Sequence, residues 1–159
     1  MINPSDFQRI FKTQHEVVLA QTQGLTMEDM LLQPPNGGNC MAWVLGHLND
    51  NLINLIDLVG GEVPEDLSVY HRFGYGSDPV NGPELLLTNP DKLLKDYGAL
   101  NQIFSERLGD PTALELLARE PGAEKDPAWQ LFFLNFHHTY HVGQLELLRN
   151  LAGHTEKLI

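Results

Sequence analysis

Three of the five Asx-Pro pairs in this chain constrain its fold more than any other feature of its sequence. Asn3-Pro4, Asn89-Pro90 and Asp126-Pro127 each join a side chain that caps helices to a proline suited to the first helical turn. A stretch of apolar residues at helical spacing follows each pair. The pairs therefore predict long helices that begin near residues 4, 90 and 127.

The predicted elements are all helical. Asn39 is a suitable cap for one more long helix, which Gly60 and Gly61 stop. No segment shows the alternation typical of a strand. We predict long helices over Pro4–Gln23, Asn39–Val59, Pro90–Leu108 and Pro127–Leu151, with shorter helical turns over Met27–Leu32 and Pro111–Arg119.

Four long helices in 159 residues predict an all-α fold, a four-helix bundle formed by a single domain over residues 1–159. Residues 60–88 make a long connection between the second and third of these helices, rich in glycine and proline. Such a length is unusual inside a domain, so this segment is either a functional loop or a crossover. Aromatic residues at helical spacings are predicted to lie in the core: Trp43, Trp129, Phe132, Phe133 and Phe136.

Composition limits the classes of partner. The chain has 10 Lys and Arg against 21 Asp and Glu, and its formal charge of -11 disfavours nucleic acid and anionic membrane surfaces. The single cysteine, Cys40, rules out an intrachain disulfide, and we interpret it as structural. The chain shows no signal-peptide pattern and no apolar run of membrane-spanning length. These features together predict a cytoplasmic protein.

The histidines are the residues that most strongly indicate a chemical function. His137 and His141 are four residues apart and lie on one face of the last helix, a spacing that lets two imidazoles bind one divalent ion. His138 lies about a quarter turn away and should miss that ion. His47, in the middle of the second long helix, would complete the site. The alternative is that these histidines serve packing and hydrogen bonding alone.

The last helix resembles that of the DinB/YfiT-like superfamily. The sequence from His137 to Gln144 matches the pattern HxxxHxGQ, and a leucine-rich stretch with Arg149 and Gly153 follows. Trp43–Leu48 resembles the second-helix motif of this family, a small residue followed by His and Leu. The resemblance covers nearly the whole chain. Val142 stands where many relatives have arginine, which removes one cation from this region.

The resemblance implies a metal site and a class of reaction. It implies a four-helix bundle, a homodimer, and zinc or nickel held by His47, His137 and His141. Several relatives are transferases or isomerases that use a low-molecular-weight thiol, and many others have no assigned reaction. Three protein ligands leave a coordination position open for water or for a thiol, as in catalytic sites.

Other residues are candidates for supporting roles. Asn51 and Gln144 lie about one turn from His47 and His141 and are predicted to orient the imidazoles. Asp50 lies at a similar distance from His47, but we interpret it as an ordinary polar contact. The connection supplies residues for a substrate loop above the metal, unless it is only a crossover or a dimer contact: Tyr70, His71, Arg72 and Tyr75.

Two functional hypotheses follow. The first is a metalloenzyme that acts on a small-molecule substrate with a low-molecular-weight thiol. The second is a catalytically silent bundle that serves as a dimeric binding or structural protein. A fourth protein ligand at the metal would favour the second hypothesis, whereas an open position would favour the first.

Overall fold

A computed structural model describes residues 3–80, 87, 89–118 and 126–158 of the chain. Its elements in chain order are α1 (Pro4–Thr22), α2 (Met27–Leu31), α3 (Met41–Leu58), the 3-10 helix Glu65–Phe73, α4 (Pro90–Leu108), α5 (Pro111–Leu117) and α6 (Pro127–Leu151). No strand occurs within the described ranges. The all-α prediction is confirmed.

Side-chain caps fix three of the four long helices where the sequence predicts. The side chain of Asn3 accepts a hydrogen bond from the backbone of Ser5 at 3.2 Å, and Asn89 and Asp126 cap α4 and α6 in the same way. The cap predicted at Asn39 is wrong, since α3 begins one residue after Cys40, which makes no capping bond. Packing rather than capping therefore holds the start of α3.

The four long helices contact one another in a ring, α1 to α4, α4 to α3, α3 to α6 and α6 to α1. Helix α3 is buried almost along its full length, from Met41 to Ile56, because α2 and the 3-10 helix also cover it. A side chain in the middle of α3 is therefore held by contacts on several sides.

The long connection between α3 and α4 is partly ordered into the 3-10 helix, which packs on α3. Buried Leu67, Tyr70 and Phe73 attach this element to the core. Residues 81–86 and 88 of the connection, and the predicted end of the short helix at Arg119, lie outside the described residues.

The last helix exposes an aromatic face that the sequence interpretation assigned to the core. That interpretation holds for Trp43, which is buried, but it is wrong for the four aromatics of α6. Between half and two thirds of their surface is open: Trp129 66%, Phe132 50%, Phe133 52% and Phe136 67%. The opposite side of α6, which includes Leu131, His138 and Leu145, is the one that packs inward. Among the described helices, none is long and apolar enough to cross a membrane.

Candidate metal centre

His47 is placed by the buried helix α3 and oriented by the 3-10 helix. Its side chain is almost fully buried, and Trp43, one turn earlier, stacks on its ring at a centroid distance of 4.9 Å. Its Nδ1 lies 2.6 Å from the carbonyl oxygen of Phe73. A carbonyl can only accept, so Nδ1 carries the proton and donates it, and in the neutral ring Nε2 then bears the lone pair.

A glycine makes this orientation possible. A Cβ atom built on Gly46 would lie 2.6 Å from the ring of Phe73, far inside van der Waals contact. The absence of a side chain at residue 46 therefore lets Phe73 pack directly on α3 and brings its carbonyl to His47.

Helix α6 brings His137 and His141 to the same place. Their ring centroids are 4.5 Å apart, and they lie 5.0 Å and 4.5 Å from the ring of His47. One ligand nitrogen from each of the three residues falls within 4.8 Å of the others. In the described part of the chain, this cluster contains no carboxylate or thiol.

Gln144 orients His141 as the sequence predicts. Its Oε1 accepts a hydrogen bond from His141 Nδ1 at 2.7 Å, so His141 Nε2 is also left free for a ligand. A hydrogen bond to the second ring nitrogen is the usual way in which proteins fix a metal-binding imidazole.

The imidazoles of His137 and His141 are electrically neutral near pH 7. Burial lowers the pKa of His141 to about 4 against the opposing effect of its hydrogen bond to Gln144, and the neighbouring His47 and His137 contribute smaller lowering effects. Burial, assisted by His47, also lowers the pKa of His137. Neutral imidazole is the form that binds metals, so protons compete weakly for these two ligands at neutral pH.

The donor set fits a divalent transition metal. Three imidazole nitrogens in one cluster suit zinc, nickel and related ions. His47 Nε2 and His137 Nε2 are 2.8 Å apart, a hydrogen-bond distance in which His137 is the donor because Nε2 of His47 bears the lone pair. Two nitrogens on one tetrahedral zinc lie about 3.3 Å apart, so an ion requires only a small separation of these rings and a tautomer change at His137.

The three histidines open onto a pocket of about 520 Å³. Side chains of the aromatic and aliphatic classes form most of its wall: Trp43, Val44, Tyr75, Tyr140, Leu147, Leu148 and Leu151. The indole nitrogen of Trp43 donates to Ser77 Oγ at 3.2 Å, which ties this wall to the connection after the 3-10 helix. A small molecule in the pocket would have direct access to the imidazoles.

Asn51 supports a different histidine from the one expected. Its Oδ1 accepts from His138 Nδ1 at 2.9 Å, and the hydroxyl of Tyr97 lies 2.8 Å from His138 Nε2. His138 is fully buried, and burial lowers its pKa to about 3. As expected, His138 points away from the cluster, and its partners join α6 to α3 and α4.

Of the four residues predicted to form a substrate loop, Tyr75 lines the pocket and the other three do not. Tyr70 is buried and donates to Asp96 Oδ2 at 2.6 Å. Burial and this carboxylate raise its phenol pKa well above the usual value. His71 pairs with Asp50 at 2.8 Å, and Arg72 donates to the carbonyl of Asp78 at 3.1 Å. These three residues support the connection, and the structure does not bring them to the pocket.

Sequence reasoning missed two contributors to the site, Phe73 and Tyr140, and interpreted a third, Asp50, as an ordinary polar contact. Phe73 acts through its main-chain carbonyl, which leaves no signature in residue type. Tyr140 lies between the two α6 histidines and contacts His141 with a centroid distance of 5.2 Å. Asp50 is buried and raises the pKa of His137, against the larger lowering effects. Tyr140 could have been found by counting helical positions, as Asp50 was, whereas the Phe73 carbonyl could not.

Comparison with known proteins gives one match. A family model described as the DinB superfamily matches residues 10–145, which include all three histidines. No curated protein and no solved structure matches the chain.

Proposed function

The chain belongs to the DinB superfamily, and on this basis we propose that it is a divalent-metal protein whose three-histidine site serves a thiol-dependent reaction of the transferase or isomerase type. The observation that carries the proposal is the convergence of three imidazoles on the wall of an open pocket. A structural site would be closed by a fourth protein ligand.

Each residue has a distinct role in this proposal. His47, His137 and His141 hold the ion, for which zinc or nickel is the proposed identity. The carbonyl of Phe73 and the amide of Gln144 fix the tautomers of His47 and His141. When bound, the metal supplies a positive charge that keeps a thiol or water ligand deprotonated near neutral pH. The apolar pocket wall shields that anion from bulk water.

Metal content tests the proposal. Protein purified without a histidine tag should contain about one zinc or nickel per chain by plasma mass spectrometry, and His141→Ala should lose it. His154→Ala is the matched control, because His154 lies near Asp29 and outside the cluster. Loss of metal in both variants, or no uptake by the unmodified protein when zinc or nickel is added, would contradict a specific site.

The reaction class needs a second measurement. Cobalt(II)-loaded protein should develop a near-ultraviolet thiolate-to-metal band when a low-molecular-weight thiol is added, and His141→Ala should not. A metal-loaded protein that gives no such band with any thiol would favour the alternative, a catalytically silent dimeric binding or structural protein.

We also propose that the chain forms a homodimer through the exposed face of α6. Four exposed aromatic side chains in the first half of α6 fall within about 100° of the helix surface: Trp129, Phe132, Phe133 and Phe136. Despite the charge of -11 on the whole chain, α6 contains only Glu146 and Arg149 as charged residues apart from histidine. Two copies can therefore approach along this face with little like-charge repulsion.

A further inference from the structure

The part of the pocket wall that the described residues form carries no fixed charge. Among its described lining residues there is no Arg, Lys, Asp or Glu. The polar groups that line it are neutral, and two of them are already engaged: Ser77 accepts from Trp43, and Gln144 accepts from His141. A charged substituent that entered this pocket would lose water without gaining a counter-ion from the wall.

Neutral hydrogen-bonding groups remain near the rim. Within the described chain, the side chain of Asn39 and the hydroxyls of Tyr75 and Tyr140 have no hydrogen-bond partner. Tyr75 is 98% exposed and Tyr140 59% exposed, so both hydroxyls are accessible. Such groups can bind an amide, ester or alcohol, but they offer an anion no compensating positive charge.

From this lining we infer that the ligand of the pocket is an uncharged molecule with an apolar, preferably aromatic, body and a single group that reaches the histidines. The inference deepens the proposed function and rests on it for the reacting group at the metal. It excludes thiols and electrophiles that carry several carboxylates, because only the metal position could balance a negative charge. Aromatic rings in the pocket wall, those of Trp43, Tyr75 and Tyr140, provide contacts for an aromatic body.

Two probes of nearly equal shape test the inference without metal. In a Trp129→Phe variant, Trp43 is the only tryptophan and reports on the pocket. We expect 3-phenylpropionamide to change its fluorescence with a dissociation constant at least about ten-fold lower than that of 3-phenylpropionate. The titration is made in EDTA and 1 M NaCl, where the screening length of about 3 Å suppresses the repulsion by the acidic protein as a whole. Equal binding, tighter binding of the carboxylate, or no binding of either probe would overturn the inference.

A variant at the rim sharpens the test. Tyr75→Lys adds a cation next to the pocket. In a titration at low salt, where this charge is not screened, it should reduce or reverse the preference for the amide relative to Tyr75→Gln, a neutral change at the same residue. Tyr75 is nearly fully exposed, so neither change should impair folding. An unchanged preference in the lysine variant would indicate that the probes bind elsewhere, which also overturns the inference.

Titrations of cobalt(II)-loaded protein distinguish a failure of this inference from a failure of the proposed function. Cobalt(II)-loaded protein should bind 4-(mercaptomethyl)benzamide at least about ten-fold more tightly than 4-(mercaptomethyl)benzoate, as read from the thiolate band. If the protein takes up no metal but prefers the amide in EDTA, the proposed function fails and the inference stands. If both thiols bind the metal equally well, the site stands and the inference fails.

Discussion

At the scale of single residues, the site depends on which ring nitrogen of each histidine carries the proton. The Phe73 carbonyl and the Gln144 amide each hold one Nδ1–H, and both act from outside the cluster. These contacts replace the water that would otherwise bind the imidazoles and fix the direction of the lone pairs. Their removal should therefore affect metal affinity more than folding.

Gln144→Ala tests this role directly. The substitution removes the acceptor at 2.7 Å from His141 Nδ1 and should raise the dissociation constant for zinc about 10- to 100-fold. Competition with a chromophoric chelator measures the constant. Gln130→Ala on the same helix is the control, because Gln130 does not line the pocket. Equal losses in the two variants would show that the effect is not specific to His141.

At the scale of elements, the close packing of the 3-10 helix on α3 couples the loop to the site. The contact requires glycine at residue 46, since any Cβ there would overlap the buried ring of Phe73. The same segment carries the carbonyl that orients His47. A change in this packing should therefore alter stability and metal binding together.

Gly46→Ala should destabilise the protein by about 1–3 kcal/mol through overpacking and weaken zinc binding by displacing the Phe73 carbonyl. Urea denaturation and chelator competition measure the two effects. Gly143→Ala provides a matched control inside α6, because a Cβ there meets no atom within 4 Å. The free energy of unfolding of the Gly143→Ala control should increase by up to about 1 kcal/mol, because alanine has a higher helix propensity than glycine. A Gly46→Ala protein as stable as the parent would refute the close contact.

At the scale of the whole molecule, one face of α6 is buried and the opposite face exposes aromatic side chains. On the buried face, His138 joins three helices through its hydrogen bonds to Asn51 and Tyr97. On the exposed face, the described residues of other helices make one aromatic contact, that of Phe7 with Phe132 at the edge of the face. An apolar face of this kind commonly marks an association surface.

Phe136→Glu should convert the proposed dimer into a monomer, because the carboxylate would be desolvated at the centre of the aromatic face. Light scattering over a range of protein concentrations measures the mass, which for the unmodified chain should be twice that of one chain. Leu19→Glu is the control, since Leu19 is 46% exposed but lies on α1. A monomeric parent protein would remove the dimer proposal.

Buried His138 should make folding sensitive to acid. Its pKa is about 3 in the folded state against about 6.5 in the unfolded chain, so only the unfolded state takes up a proton as the pH falls below 6.5. The contribution of neutral His138 to the free energy of unfolding is fully present above pH 6.5. It decreases as the pH falls towards 3, by up to about 1.4 kcal/mol per pH unit.

Urea denaturation in EDTA between pH 7.5 and 5 measures this dependence. His138→Gln should show a flatter profile, although His137 and His141 retain a dependence of the same sign because their pKa values are also lowered. Parallel profiles for the parent and the variant would contradict the assignment to His138.

The sequence alone determined where the long helices lie and that two histidines of the site, His137 and His141, share one helical face. Capping side chains, proline at the first turn and terminating glycines act on their immediate neighbours, so Asn3, Asn89 and Asp126 were sufficient to start three helices. The four-residue spacing of His137 and His141 placed them on one helical face for the same local reason. Periodicity could not decide which face of α6 is buried, because two faces of that helix are apolar.

Only the tertiary structure decided how distant residues meet. It brought His47 to the α6 pair, paired Asn51 with His138, buried Tyr70 and exposed Trp129, and no local rule predicts these outcomes. The Phe73 carbonyl is the clearest case, because every residue has a main-chain carbonyl and its use depends on where the chain passes. Contacts between segments far apart in sequence arise from the packing of whole helices, which patterns within one segment do not encode.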